Sequence, residues 1–217
     1  MPIFRNGHLQ GGIKPHTCTA IVGANGSGKT TFLKLISGLI QPQSGRCGLT
    51  PGIKASYLTQ LQHYDRIYPL RVIDVVNMGH AVPPFLLWGY TDVQMHKSLS
   101  ALEMVKLAHK KDHHISQLSG GEFQRMLFAR VLVEDSDLIL LDEPFTSMDE
   151  QTINSVLDLM KTLTTEYGKT ILCVCHDLGL IPQHFSHVLH VKNQQVQSLE
   201  TQHWINTLMQ NGGRSAL

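Results

Sequence analysis

Thr17-Cys-Thr-Ala-Ile-Val22 running into Gly23-Ala-Asn-Gly-Ser-Gly-Lys-Thr30 is the stretch on which the fold of this chain turns. The first six residues are an apolar, β-branched run of the kind that fills a buried strand. The next eight fit the pattern G-x-x-x-x-G-K-[ST], and from about Thr31 to Leu39 apolar residues recur with helical spacing. Strand, glycine turn and helix in that order make a phosphate loop. Its glycines let backbone N–H groups curl around phosphate oxygens, and Lys29 brings a point charge to them. Thr30 offers a hydroxyl to Mg²⁺, and the opening helix adds free amides and the positive end of its dipole. With glycine at 18 of 217 residues, a chance match has odds of about one in a hundred. Gly23, Ala24, Asn25, Gly26, Ser27, Gly28, Lys29, Thr30 and Thr31 are therefore the expected phosphate-binding residues.

Working outward, strand and helix signals alternate. Lys54-Ala-Ser-Tyr-Leu58, Asp137-Leu-Ile-Leu-Leu141, Thr170 to Val174 and His187-Val-Leu-His-Val191 read as strands, and Ile153/Val156/Leu157/Met160 as a helix face. Apolar strands alternating with helices predict an α/β fold, a mostly parallel sheet covered by helices. The middle of the chain has helical spacing at Val72/Val75/Val76 and Leu99/Leu102/Val105, broken at Pro83-Pro84. It predicts a helical lobe, about 70–132, inserted in a single domain spanning 1–217.

Composition narrows the function classes. The net charge of +1 and 16% charged residues argue against nonspecific nucleic-acid binding, which needs a basic face. The longest apolar runs, such as Phe85-Leu-Leu-Trp88, fall far short of the ~20 residues of a spanning helix. No signal peptide is read at the start. Four cysteines, Cys18, Cys47, Cys173 and Cys175, are too few and too scattered for a disulfide scaffold. Cys173 and Cys175, two apart on one face of a strand, read as small core hydrophobes rather than a metal pair.

Two further segments carry chemistry. Leu138-Ile-Leu-Leu-Asp-Glu143 is a strand delivering adjacent carboxylates at its C-terminal end, where open parallel sheets bind ligands. Alone such a run is commonplace; behind a phosphate loop, Asp142 reads as a Mg²⁺ holder and Glu143 as the base that polarises attacking water. Leu118-Ser-Gly-Gly-Glu122-Phe-Gln-Arg125 is a glycine turn with Ser119 as helix cap, before a helix with a Phe123/Met126/Leu127/Val131 apolar face.

With these segments in this order the chain resembles the nucleotide-binding subunit of an ATP-binding-cassette transporter, a P-loop NTPase core whose inserted lobe carries the signature motif. Leu118 to Glu122 matches that signature, Gly23 to Thr30 the phosphate loop and Asp142-Glu143 the second carboxylate motif. Gln60 falls where the family has its lid glutamine, and His176 where it has its switch histidine. Ser147-Met-Asp149 resembles the loop whose aspartate crosses the dimer interface, with Met148 where leucine is usual. The resemblance implies an ATPase in which two subunits sandwich two ATPs. Ser119, Gly120 and Gly121 then serve the partner's ATP, and Asp149 lies at the interface. Glu143, His176 and Gln60 are the implied catalytic residues, and Thr30, Gln60 and Asp142 surround Mg²⁺. It also implies an integral membrane permease as partner, a periplasmic or surface substrate-binding protein, no nucleic acid, and a place on the cytoplasmic side of the inner membrane, peripheral through the permease.

Val72 to His80, Asp142 to Phe145 and Leu118 to Arg125 are similar to zinc and manganese uptake subunits. That implies import of one of these metals; iron-chelate import, haem export and, behind them, non-transport ATPases of the superfamily are the alternatives. The 13 histidines include His109/His113/His114 and His184/His187/His190, but His187 to Val191 reads as a strand, which scatters the second set. Surface or structural roles are expected. Phe85 to Tyr90, Tyr64 and Tyr68-Pro69 are candidates for permease docking. One departure stands out: the family's adenine-stacking aromatic has no counterpart before Gly23 other than Phe4, whose place resembles the following strand. Either the true start lies upstream, or adenine is held by backbone and apolar contacts alone. For the chain as given, weak discrimination between ATP and GTP is the expectation.

Overall fold

The computed structural model describes residues 9–10, 12–44, 47–59, 68–80, 89–146, 148–192 and 195–210. Gln60, Ser147, Phe4, Tyr64 and Phe85 to Trp88 lie outside the described residues. The described chain forms strands β1 (Leu9–Gln10), β2 (Cys18–Val22), β3 (Ala55–Leu58), β4 (Leu138–Leu141), β5 (Thr170–Val174), β6 (His187–Lys192) and β7 (Gln195–Glu200). Its helices are α1 (Lys29–Ile36), α2 (Val72–Asn77), α3 (Asp92–Met104), α4 (Gly120–Glu134), α5 (Glu150–Thr165), α6 (Ile181–His184) and α7 (Thr201–Gln210).

One sheet holds the strands in the order β1-β7-β6-β2-β5-β4-β3. β2 pairs parallel with β5 and β6, β4 with β5, and β1 with β7; β6 and β7 are antiparallel. This is the mostly parallel sheet with helices that the sequence predicts. β2 is central because both its faces are apolar: every residue from Cys18 to Val22 is buried. The two-residue period then sorts the strands. Ile21, Leu138, Leu140, Leu172, Val174, Leu189 and Val191 share one core with Phe32, Leu33 and Ile36 of α1. Burying side chains of this size contributes about 1.5–3 kcal/mol each, which anchors α1 beneath the turn that precedes it.

α1 ends at Ile36, three residues short of the helix expected to Leu39. Gly38 adopts φ 77, the left-handed turn that stops a helix, and leaves Leu39 62% exposed. β7, α6 and α7 have no counterpart among the expected elements. β7 reads Gln-Val-Gln-Ser-Leu-Glu and buries only Val196 fully; its pairing with β6 supplies what its composition does not.

The chain divides into two compact units, one of residues 1–57, 137–144 and 160–217, the other of 58–136 and 145–159. The expected lobe of about 70–132 falls inside the second unit. There α4 packs against α2 and α3, burying Phe123, Met126, Leu127 and Val131. Among the described residues no helix is long and apolar enough to cross a membrane.

Candidate active site

In the first unit, the turn between β2 and α1 takes conformations that glycine alone enters cheaply. Gly23, Gly26 and Gly28 have φ 151, 76 and 103. A Cβ on Gly23 would run into the Val191 carbonyl oxygen and come within 2.8 Å of Ser27 Oγ. Gly28 caps α1, and its carbonyl accepts from Phe32 N–H at 2.8 Å. Lys29 Nζ donates to the carbonyls of Gly23 and Ala24 at 2.9 and 3.0 Å. Burial pulls the Lys29 ammonium below its ordinary value, against the opposing pull of Glu143 and Asp142.

Asp142, at the end of β4, is 2% exposed. Thr30 Oγ1 donates to its Oδ1 at 3.1 Å and Tyr57 Oη to its Oδ2 at 2.9 Å. Burial raises its pKa above the usual carboxylate range, and the two hydroxyl bonds work against that rise. Glu143 follows with φ 53, rare for a residue with a side chain. Its Oε1 lies 2.8 Å from Nε2 of His176, just beyond β5. Asn25, Gly26, Gly28, Lys29, Thr30, Thr31, Glu143 and His176 line one cleft of about 530 Å³, a size suited to a small-molecule ligand.

This donor set suits a magnesium–triphosphate. Ser27 Oγ is buried with no hydrogen-bond partner among the described residues, and the α1 N-terminus faces the turn that carries it. A threonine hydroxyl beside a carboxylate is the oxygen chemistry that a small hard cation takes.

The second unit holds the signature residues. Ser119 is the N-cap of α4; its Oγ accepts from Glu122 N–H at 3.3 Å, and its own N–H donates to Glu122 Oε2 at 3.0 Å. Gly120 and Gly121 are the first two helical residues. A Cβ on Gly121 would come within 3.0 Å of Thr152 Cγ2. Asp149 caps α5: its oxygens accept from Thr152 N–H at 2.8 Å and Thr152 Oγ1 at 2.9 Å. Those bonds hold its carboxyl below the usual range.

Three residues of these sites carry no role in the sequence reading: Tyr57 on Asp142, Thr152 between Asp149 and Gly121, and Lys110 on Glu122. Only Tyr57 left a trace in the sequence, a hydroxyl on the strand leading to Gln60. The buried thiols of Cys18, Cys173 and Cys175 lie in β2 and at β5, with burial raising all three pKa values, Cys175 to about 11; they are core, as expected from their strands.

A phosphate loop on the central strand of a parallel sheet, with a carboxylate pair at a nearby strand end, defines a P-loop nucleoside triphosphatase. The chain belongs to the ABC transporter family, whose model matches residues 7–146, and it is an ABC-type ATPase. The manganese transport system ATP-binding protein MntA of Synechocystis sp. is 38% identical over 192 residues, covering 82% of this chain and 71% of that protein. The zinc transport system ATP-binding protein TroB of Treponema pallidum is 38% identical over 176 residues, covering 78% and 66%. The chelated iron transport system membrane protein YfeB of Yersinia pestis is 35% identical over 210 residues, covering 89% and 69%. The chain thus spans about two thirds of the length of these relatives. Among solved structures, the dimeric bacterial ABC transporter cassette MJ0796 is similar with TM-score 0.73 and 25% identity, covering 92% of this chain and 90% of that one. The ADP conformation of the cassette MJ1267 gives TM-score 0.76 at 21% identity, covering 93% and 87%, a likeness of fold.

Proposed function

We propose that this ATPase drives import of a divalent metal ion, zinc or manganese, through a separate membrane permease, as one of two identical copies that close over ATP. The observation that carries the catalytic part is the Glu143–His176 contact of 2.8 Å in the same cleft as Lys29 and Thr30. The α1 amides and Lys29 hold the β- and γ-phosphates, Lys29 exchanging its two loop carbonyls for phosphate oxygens. Thr30 and Asp142 would hold Mg²⁺, with Gln60 the further ligand that the family resemblance implies; when bound, the ion would neutralise phosphate charge. Glu143 takes the proton of the attacking water, and His176 both orients that carboxylate and donates toward the developing charge on the γ-phosphate. Ser119, Gly120 and Gly121 offer a hydroxyl and helix-opening amides to the ATP of the other copy, with Asp149 at the same interface.

Support for the metal comes from the names of the manganese and zinc relatives. An iron-chelate substrate is the second reading, favoured by the YfeB likeness, which covers the largest share of this chain among the three. A substrate-binding protein outside the membrane and a cytoplasmic-side location complete the proposal. Co-expressing the chain with its permease and measuring energy-dependent uptake of radioactive zinc, manganese and chelated iron separates the readings. Accumulation of zinc or manganese abolished by Glu143→Gln supports the first, and accumulation of iron alone supports the second.

A further inference from the structure

The opening turn of α4 contains a carboxylate where an anion is to be received. Glu122 is the third residue of that helix, and its Oε2 is spent on the Ser119 N–H at 3.0 Å. Its own N–H is spent on Ser119 Oγ at 3.3 Å. Ser119 Oγ accepts that bond and keeps a hydroxyl proton of its own to donate. The capping box therefore prepares the serine as a donor, but at the cost of a negative charge in the turn that the γ-phosphate approaches.

Lys110 answers that charge. It closes the short 3₁₀ turn Ala108–Lys110, twelve residues before Glu122 and in the same unit. Its Nζ donates to Glu122 Oε1 at 2.6 Å, with the two side chains only 25% and 19% exposed. The pairing leaves each Glu122 oxygen with one donor: Oε1 takes the ammonium and Oε2 the backbone. A short, largely shielded ion pair of this kind is screened less than a surface pair. The carboxyl is accordingly held below its usual range, the Lys110 bond being the largest cause.

We propose that Lys110 is a positioning residue of the signature turn, neutralising Glu122 so that the turn keeps its cap without repelling the γ-phosphate of the ATP held by a second copy. The proposal rests on the reading that two copies close over ATP. Lys110 touches no substrate; it acts through Glu122.

The test uses Glu143→Gln as parent, so that ATP is bound and not consumed, and reads the ATP-dependent monomer–dimer equilibrium by analytical ultracentrifugation. Lys110→Met in this parent weakens the dimer about tenfold, about 1.4 kcal/mol, since each dimer closes two such turns and a charge acts at each helix N-terminus. Lys110→Arg, which keeps the charge, stays within about threefold of the parent. In a Glu122→Gln background, Lys110→Met changes the equilibrium less than about twofold, because no charge is left to neutralise. Circular dichroism melts of each variant identify any that lose the fold, for which Lys110→Gln replaces Lys110→Met. Equal losses in both backgrounds, or no loss in either, overturn the proposal. A parent that stays monomeric with ATP overturns the shared-site reading and the proposal with it.

Discussion

His176 Nε2 lies 2.8 Å from Glu143 Oε1, across 33 residues of sequence. The two side chains end adjacent elements of one unit, Glu143 past β4 and His176 past β5, and those strands are parallel neighbours. Parallel pairing puts both C-terminal ends on one edge of the sheet, and φ 53 at Glu143 sets the carboxylate's direction there. The roles proposed for the pair, a base and its orienting partner, are open to direct measurement.

Glu143→Gln keeps the shape of the side chain but cannot take a proton from water. Turnover falls by about 10²–10⁴ while ATP binding remains. Single-turnover hydrolysis with radiolabelled ATP, beside equilibrium nucleotide binding, checks both halves. Parent-level turnover would remove Glu143 from the role of base.

If each ATP is served by the phosphate loop of one copy and the signature turn of the other, lesions in the two can complement. A Lys29→Ala chain mixed with a Ser119→Arg chain forms a heterodimer in which one site carries both lesions and the other neither. Mixing two inactive preparations then restores part of the ATPase activity. Activity of the unmutated chain that stays linear in concentration at high dilution would instead indicate a self-sufficient monomer.

Gly23 and Gly26 both have positive φ, 151 and 76, but only Gly23 has atoms standing where a Cβ would go. Gly26→Ala carries backbone strain alone, about 1–2 kcal/mol. Gly23→Ala adds collision with the Val191 carbonyl and costs more, about 3 kcal/mol or above. Urea unfolding of the two variants measures the difference, and equal midpoints would contradict the close approach.

Glu122 makes stability depend on pH. Its folded pKa is depressed, first by Lys110 and then by the Ser119 bonds. A depressed carboxyl contributes stability that is present above the unfolded value, about 4.3, and is lost as pH falls through the folded value. Glu122→Gln is therefore less stable than the parent at neutral pH, by about 1 kcal/mol or less, and the gap closes on acidification. Denaturant titrations at several pH values follow it; a gap that widens in acid would have the wrong sign.

What the sequence read well was local. The phosphate loop, the Ser119 cap and the apolar face of α4 depend on residues within a few positions of one another, where backbone sterics and capping chemistry act. Leu138 to Leu141 and Thr170 to Val174 were legible because strands buried on both faces must be apolar throughout. The end of α1 was misplaced because Leu39 continues the apolar spacing, while Gly38 ends the helix by its backbone.

By itself, then, the sequence determined the elements of the site: a glycine turn between strand and helix, a strand that ends in carboxylates, and a helix that opens beside a serine. Tertiary structure decided what is paired with what. β7 is a strand because β6 offers its edge, although Gln195 to Glu200 has no strong strand pattern. Tyr57 meets Asp142 across 85 residues, Thr30 meets it across 112, and Lys110 meets Glu122 across twelve. Composition and spacing do not by themselves pair these groups, because a hydroxyl or ammonium looks the same in sequence whether it faces water or a carboxylate. Only the fold, by removing water from around Asp142 and Glu122, makes a partner obligatory.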